Sequence, residues 1–159
     1  MKENMMDVLM YLFEHYMDDQ LELAPNQDSL KIRLIDDGFP KTEVDKAFSW
    51  LEGLAQYRGN DIKSQRSGHF SIRVYTENEI KKLDTESRGF LQFLEHMEVL
   101  TTVTRELVIE RAMALELGVI ELEKLKWVIL MVLFNQPGQE AAYAWVEDFV
   151  FEEMDSYLH

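Results

Sequence analysis

Histidines 15, 69, 96 and 159 are the side chains best suited to hold a metal or carry a proton near neutral pH, and they are scattered along the chain. None has an acid three residues before it, so the Glu-x-x-His device of helical di-iron sites is missing. Glu106 and Glu110 are four residues apart and share a helix face, with Arg105 and Arg111 beside them. Carboxylates so placed could hold a metal only after losing their arginines, and a local ion-pair network is the expectation. Asp18-Asp19, Asp36-Asp37 and Glu152-Glu153 are adjacent in sequence, which points the two carboxylates of each pair apart on a helix.

The remaining catalytic patterns fail on spacing. His96-Met97-Glu98 has the His-x-Glu spacing of zinc deaminases, but the chain has no cysteine to complete such a site. The glycines at 38, 53, 59, 68, 89, 118 and 138 include no pair two apart and none before a lysine, which removes the glycine-rich phosphate cradles. No serine lies in a Gly-x-Ser-x-Gly elbow. The expectation is therefore a protein with no catalytic group, no cofactor and no metal.

Charge is the more informative signal. The net charge is −14, and neither Glu3 to Leu30 nor Trp127 to His159 contains a lysine or arginine. Such a surface repels phosphate backbones and anionic lipids and suits a basic protein partner. Basic residues concentrate in one run, where Arg58, Lys63, Arg66 and Arg73 oppose Asp61. With no secretory leader pattern and a longest apolar run of eight residues, Trp127 to Phe134, a cytoplasmic protein without a membrane span is expected.

These groups must be positioned by helices. Met6, Leu9, Met10, Phe13, Tyr16 and Met17 recur at helical spacing and predict a first helix over about Met5 to Asp18. A second is opened by Asn26 or Asp28 and closed by Gly38; a third, with the stripe Val44, Ala47, Phe48, Leu51 and Leu54, ends near Gln56. Phe70, Ile72 and Val74 alternate with polar residues, the period of a short strand or extended segment. Thr76-Glu77-Asn78-Glu79 is a capping-box pattern that starts a short helix. Four longer helices follow, over about Thr85 to Val99, Val103 to Leu117, Glu121 to Phe134 and Gln139 to Asp155.

The fold class is thus mainly α: a three-helix module over 1–56, a basic linker with the strand or extended segment over 57–75, and a helical bundle over 76–159. Trp127 to Phe134 is apolar around its whole circumference and makes the central helix of that bundle.

Two aromatics fall off their own stripes. Trp50 lies about 100° from the mean direction of Val44, Ala47, Phe48 and Leu51, and Phe151 falls within the arc of Glu147, Asp148, Glu152 and Asp155. Acid-flanked aromatics of this kind anchor interfaces, and these six residues are the candidate contacts for a basic partner. Two other readings stay open. Arg58, Lys63, Arg66 and Arg73, following three helices, could form a winged-helix-like nucleic-acid surface, and nine methionines could line a pocket for a small apolar ligand.

Several strings read together as one family. Asp7 to Glu14 (DVLMYLFE), Tyr75-Thr76, Ser87-Arg88-Gly89-Phe90-Leu91, Arg105 to Arg111 (RELVIER) and Leu125 to Asn135 (LKWVILMVLFN) resemble the bacterial Smg family, as does the terminal Leu158-His159. The chain departs from the pattern by a few residues before Asp7 and by Asp155-Ser156-Tyr157, where a glycine is often found. The resemblance implies a small bacterial cytoplasmic protein without established activity or catalytic residues, whose gene neighbourhood suggests a link to nucleic-acid-processing machinery.

Overall fold

Several helix boundaries have a local cause. The computed structural model describes residues 4–16, 27–57 and 73–157, with side chains other than those of 16, 27 and 149–157. Among these residues the helices are α1 (Met5–Tyr16), α2 (Gln27–Asp36), α3 (Lys41–Ala55), α4 (Glu77–Lys82), α5 (Thr85–His96), α6 (Thr102–Met113), α7 (Leu122–Asn135) and α8 (Glu140–Tyr157). Asn4 and Asp7 cap α1 reciprocally, each side chain accepting from the other's backbone N–H. Gly38 leaves α2 with φ 108°, a conformation that favours glycine, and lets Phe39 fold back into the core with its N–H on the Leu34 carbonyl at 3.1 Å. Thr76 and Glu79 form the capping box that starts α4. Asp84 caps α5, and Thr101 with Thr104 caps α6.

The chain divides into two units, Met1–Gly53 and Leu54–His159, with the division inside the last turns of α3. In the first, the buried side chains include Met6, Leu9 and Leu12 of α1, Leu34 of α2 and Val44, Ala47 and Phe48 of α3. The Phe39 ring lies 5.3 Å from that of Tyr11, and Lys31 sits over the Phe48 ring while pairing with Asp45 at 3.8 Å.

In the second unit α7 is the hub. Every residue from Leu125 to Leu133 is buried, and α7 packs against α5, α6 and α8. The cause is in the sequence: a helix with no polar face must be covered on several sides. Two details differ from expectation. Phe134, the last residue of the apolar run, is 48% exposed, with its ring 5.7 Å from that of Tyr143. Lys126, although charged, is only 3% exposed, and its Nζ lies 5.5 Å from the centre of the Phe90 ring. A lysine is tolerated there because its stem is hydrocarbon and its cation is attracted to an aromatic face.

The expected strand or extended segment is described only from Arg73 onward. Phe70, Ser71 and Ile72 lie outside the described residues, while 73–76 form no strand and Val74 is exposed. Among the described residues the one β-type pairing is an isolated parallel bridge between Leu83 and Ile120. The Ile120 N–H donates to the Lys82 carbonyl at 2.7 Å, and the Ser87 hydroxyl donates to the Ile120 carbonyl at 3.2 Å, so the links between α4, α5 and α7 are laced together. None of the helices among the described residues is long and apolar enough to cross a membrane.

α5 stops at His96, short of the expected Val99, because Glu98 turns to φ 61° and the Val99 N–H returns to the Leu94 carbonyl at 2.9 Å. A β-carbon in that left-handed geometry costs about 1 kcal/mol. Glu98→Gly should therefore raise stability by about 0.5–1 kcal/mol in a denaturant titration. Ile129→Asp, which places a carboxylate at a fully buried point of α7, should cost at least about 4 kcal/mol and abolish the cooperative thermal transition seen by circular dichroism.

Candidate functional site

Arg73 enters α4 through its cap and is gripped at once. Its Nη1 and Nη2 donate to the two carboxylate oxygens of Glu79, both at 2.9 Å, and its Nε donates to Glu106 at 2.6 Å. Glu79 also accepts from the Thr76 N–H at 2.9 Å, so one carboxylate both closes the capping box and clasps the arginine. Glu106 is shared with Arg105, whose Nη1 reaches Glu95 at 2.7 and 2.5 Å. The chain of charges Glu79, Arg73, Glu106, Arg105, Glu95 thereby ties α4, α6 and α5 together. Arg111 pairs with Glu110 at 2.6 Å and lies over the Tyr57 ring. The ion-pair network expected around Glu106 and Glu110 is present.

The electrostatics follow from these contacts. The Arg73 hydrogen bonds hold the Glu79 carboxyl down to about 2, winning over burial, and the Glu79 hydrogen bonds raise Arg73 in return. Burial pushes the Tyr75 phenol up, against the charges of Arg73 and Arg105; the Arg73 guanidinium lies 4.8 Å from the centre of its ring. Burial lowers Lys82, which donates to the carbonyls of Met113 and Leu115 at the end of α6.

Beside the clasp is an open cleft of about 430 Å³, lined by the carboxylates of Glu106 and Glu110 and by Ile109, Met113 and Ala114. Glu79 is ionised at neutral pH and both its oxygens are engaged, so it has no proton to give. The cluster acts as a clasp between helices.

The residues singled out from the sequence fall in different places. Trp50 is corrected: it is buried, 3% exposed, and does not stand free for a partner. The covered arc of α3 is therefore wider than the stripe of Val44, Ala47, Phe48 and Leu51 and includes the indole. Arg73 is corrected as a member of a basic patch, since its Nε, Nη1 and Nη2 all face carboxylates. Arg58, Lys63 and Arg66 lie outside the described residues. On α8, Asp148 is exposed and Glu147 half-buried, while the side chains of Phe151, Glu152 and Asp155 lie outside the described ones. Among the described residues no group of three His, Cys, Asp or Glu side chains is placed to hold a metal.

Comparison with known proteins decides the family. Residues 5–159 match a family described as "Protein of unknown function (DUF494)". The chain is 55% identical to a protein named Protein Smg homolog from Nitrosococcus oceani, over 100% of both chains. It is 50% identical to proteins of the same name from Thioalkalivibrio sulfidiphilus and Stenotrophomonas maltophilia, again over 100% of both. The chain belongs to the Smg family. No solved structure matches it.

Within this Smg-family chain, the strings that carried the resemblance become structural parts: Arg105 to Arg111 lies in α6 and supplies the ion pairs, and Leu125 to Asn135 lies in the buried α7. What sequence reasoning missed is the surface of α5 and α8. Phe93 and Met97 are 42% and 51% exposed, and the Phe93 ring meets that of the half-buried Trp145 at 6.3 Å. The signal was available: α5 buries Ser87, Phe90, Leu91 and Leu94 on one arc, and Phe93 projects about 110° from its centre.

The clasp carries a pH dependence. Glu79 titrates near 4.5 when free of the fold and at about 2 within it. Its stabilising contribution is complete above pH 4.5 and is lost as pH falls towards 2. Glu79→Gln should be less stable than the parent at pH 7, by about 1–2 kcal/mol, with the difference shrinking steadily below pH 4.5 in parallel thermal melts.

Proposed function

We propose that this protein is a non-enzymatic interaction protein whose acidic second unit docks a basic partner protein. The observation that carries this reading is the Phe93–Trp145 contact at the surface, with exposed Asp148 one helical turn beyond Trp145. α8 contains no lysine or arginine, so the charge it contributes is of one sign. Long-range attraction would steer a basic surface to this face, and burial of aromatic area would slow its release. The geometry at Arg73 gives no such support to a nucleic-acid surface, because each carboxylate on its guanidinium takes the place of a phosphate.

Crosslinking in living cells followed by mass spectrometry should recover a partner with a basic surface, released by raised salt and lost when Glu147 and Asp148 are both replaced by lysine. Trp145→Ala should weaken the same complex by about 2 kcal/mol. Partners held equally by the lysine variant at high salt would overturn the proposal.

A further inference from the structure

The middle of α5 contains a glycine that nothing among the described residues explains. Gly89 is exposed, and a β-carbon built on it would meet no atom of the described residues within 4 Å. It needs no left-handed backbone: the glycines with positive φ among the described residues are Gly38 and Gly138. Glycine is among the poorest formers of helix interiors, so the position weakens α5 without relieving any internal crowding. Absence of a side chain there leaves room for close approach from outside.

The neighbours on that face are unusual in the same direction. Phe93 and Met97 follow Gly89 at four-residue steps, and all three are exposed. Glu86 projects within about 20° of Phe93 on the same face. Trp145 meets Phe93 from α8, and Asp148 stands one turn further along. Arg88, the basic residue nearest in sequence, points elsewhere, with its Nε on the Leu83 carbonyl at 3.1 Å. The face thus combines a flat backbone, three large apolar side chains and acidic flanks.

We propose that this α5 face, from Gly89 through Phe93 to Met97 and joined by Trp145, docks an amphipathic helix of the basic partner. The helix lies with its backbone close over Gly89, its apolar residues against Phe93, Met97 and Trp145, and its lysines or arginines beside Glu86 and Asp148. An amphipathic helix brings apolar residues to one face at three- and four-residue spacing, which suits the apolar strip of Phe93, Met97 and Trp145. Methionine and aromatic rings adapt to the partner's apolar face. A second copy of this chain is disfavoured as occupant, because it would bring Glu86 and Asp148 against like charges. The inference rests on the basic-partner reading above and adds the partner's shape and place.

A fluorescent synthetic peptide of about five helical turns, with leucine on one face and lysine on the other, is the probe. Anisotropy titration against the full chain at low salt should show binding, and the same peptide with glutamate for lysine should not bind. Gly89→Ala and Gly89→Gln should raise the thermal midpoint, because both are better helix formers. Gly89→Gln and Phe93→Ala should nevertheless weaken peptide binding about tenfold, while Ile80→Ala on α4 leaves it unchanged. If Gly89→Gln and Phe93→Ala bind as the parent does, yet replacing Glu147 and Asp148 by lysine abolishes binding, the α5 site falls and the basic-partner reading stands. If the lysine peptide does not bind the parent chain, both fall. A dimer in sedimentation equilibrium that Gly89→Gln dissolves would give the face to a second copy and overturn the proposal.

Discussion

A helix with no polar side has nowhere to meet water. α7 is apolar through most of its length, and its burial from Leu125 to Leu133 obliges other helices to close around it. α5, α6 and α8 do so, and every other feature of the second unit follows from how they are held against α7. The gain is large: each fully buried aliphatic or aromatic side chain is worth about 1.5–3 kcal/mol before entropy is subtracted. This burial has no direction, however, and does not by itself determine which helix lies where.

Polar contacts supply the direction. Arg73 is bound by two oxygens of Glu79 and one of Glu106, residues 6 and 33 positions away, and Arg105 extends the chain to Glu95. A planar guanidinium matches a carboxylate through paired parallel hydrogen bonds, so these pairs specify orientation as well as proximity. Lys82 adds a second fastening, satisfying carbonyls at the end of α6 that the helix leaves without partners. The network sets the register of the α4, α5 and α6 assembly.

The outer surface of the same helices has a different character. α5 has two faces, one buried through Phe90, Leu91 and Leu94, the other exposing Gly89, Phe93 and Met97. α8 contributes Trp145 and acidic charge to that exposed side. In a chain of net charge −14, that exposed side combines apolar area with acidic charge.

Much of the fold was legible in the residues because helix signals are local. The Thr76 to Glu79 cap, the left-handed Gly38 and the apolar circumference of α7 each act within a few residues of themselves. The site was less legible. Arg73 read as free positive charge because its carboxylates come from two helices, one of them distant in sequence, and a charge count along the chain cannot see a pairing across it. Trp50 read as exposed because one helix's stripe shows where burial begins, not how far neighbouring elements extend it. Lys126 shows the converse, a charge buried because its stem and cation both found partners in the packed bundle. Sequence alone determined which segments are helical and which helix must lie inside, since both depend on short-range spacing. Only the tertiary structure decided which charges are spent on one another and which aromatics stay exposed, because those outcomes depend on distances between residues far apart in the chain.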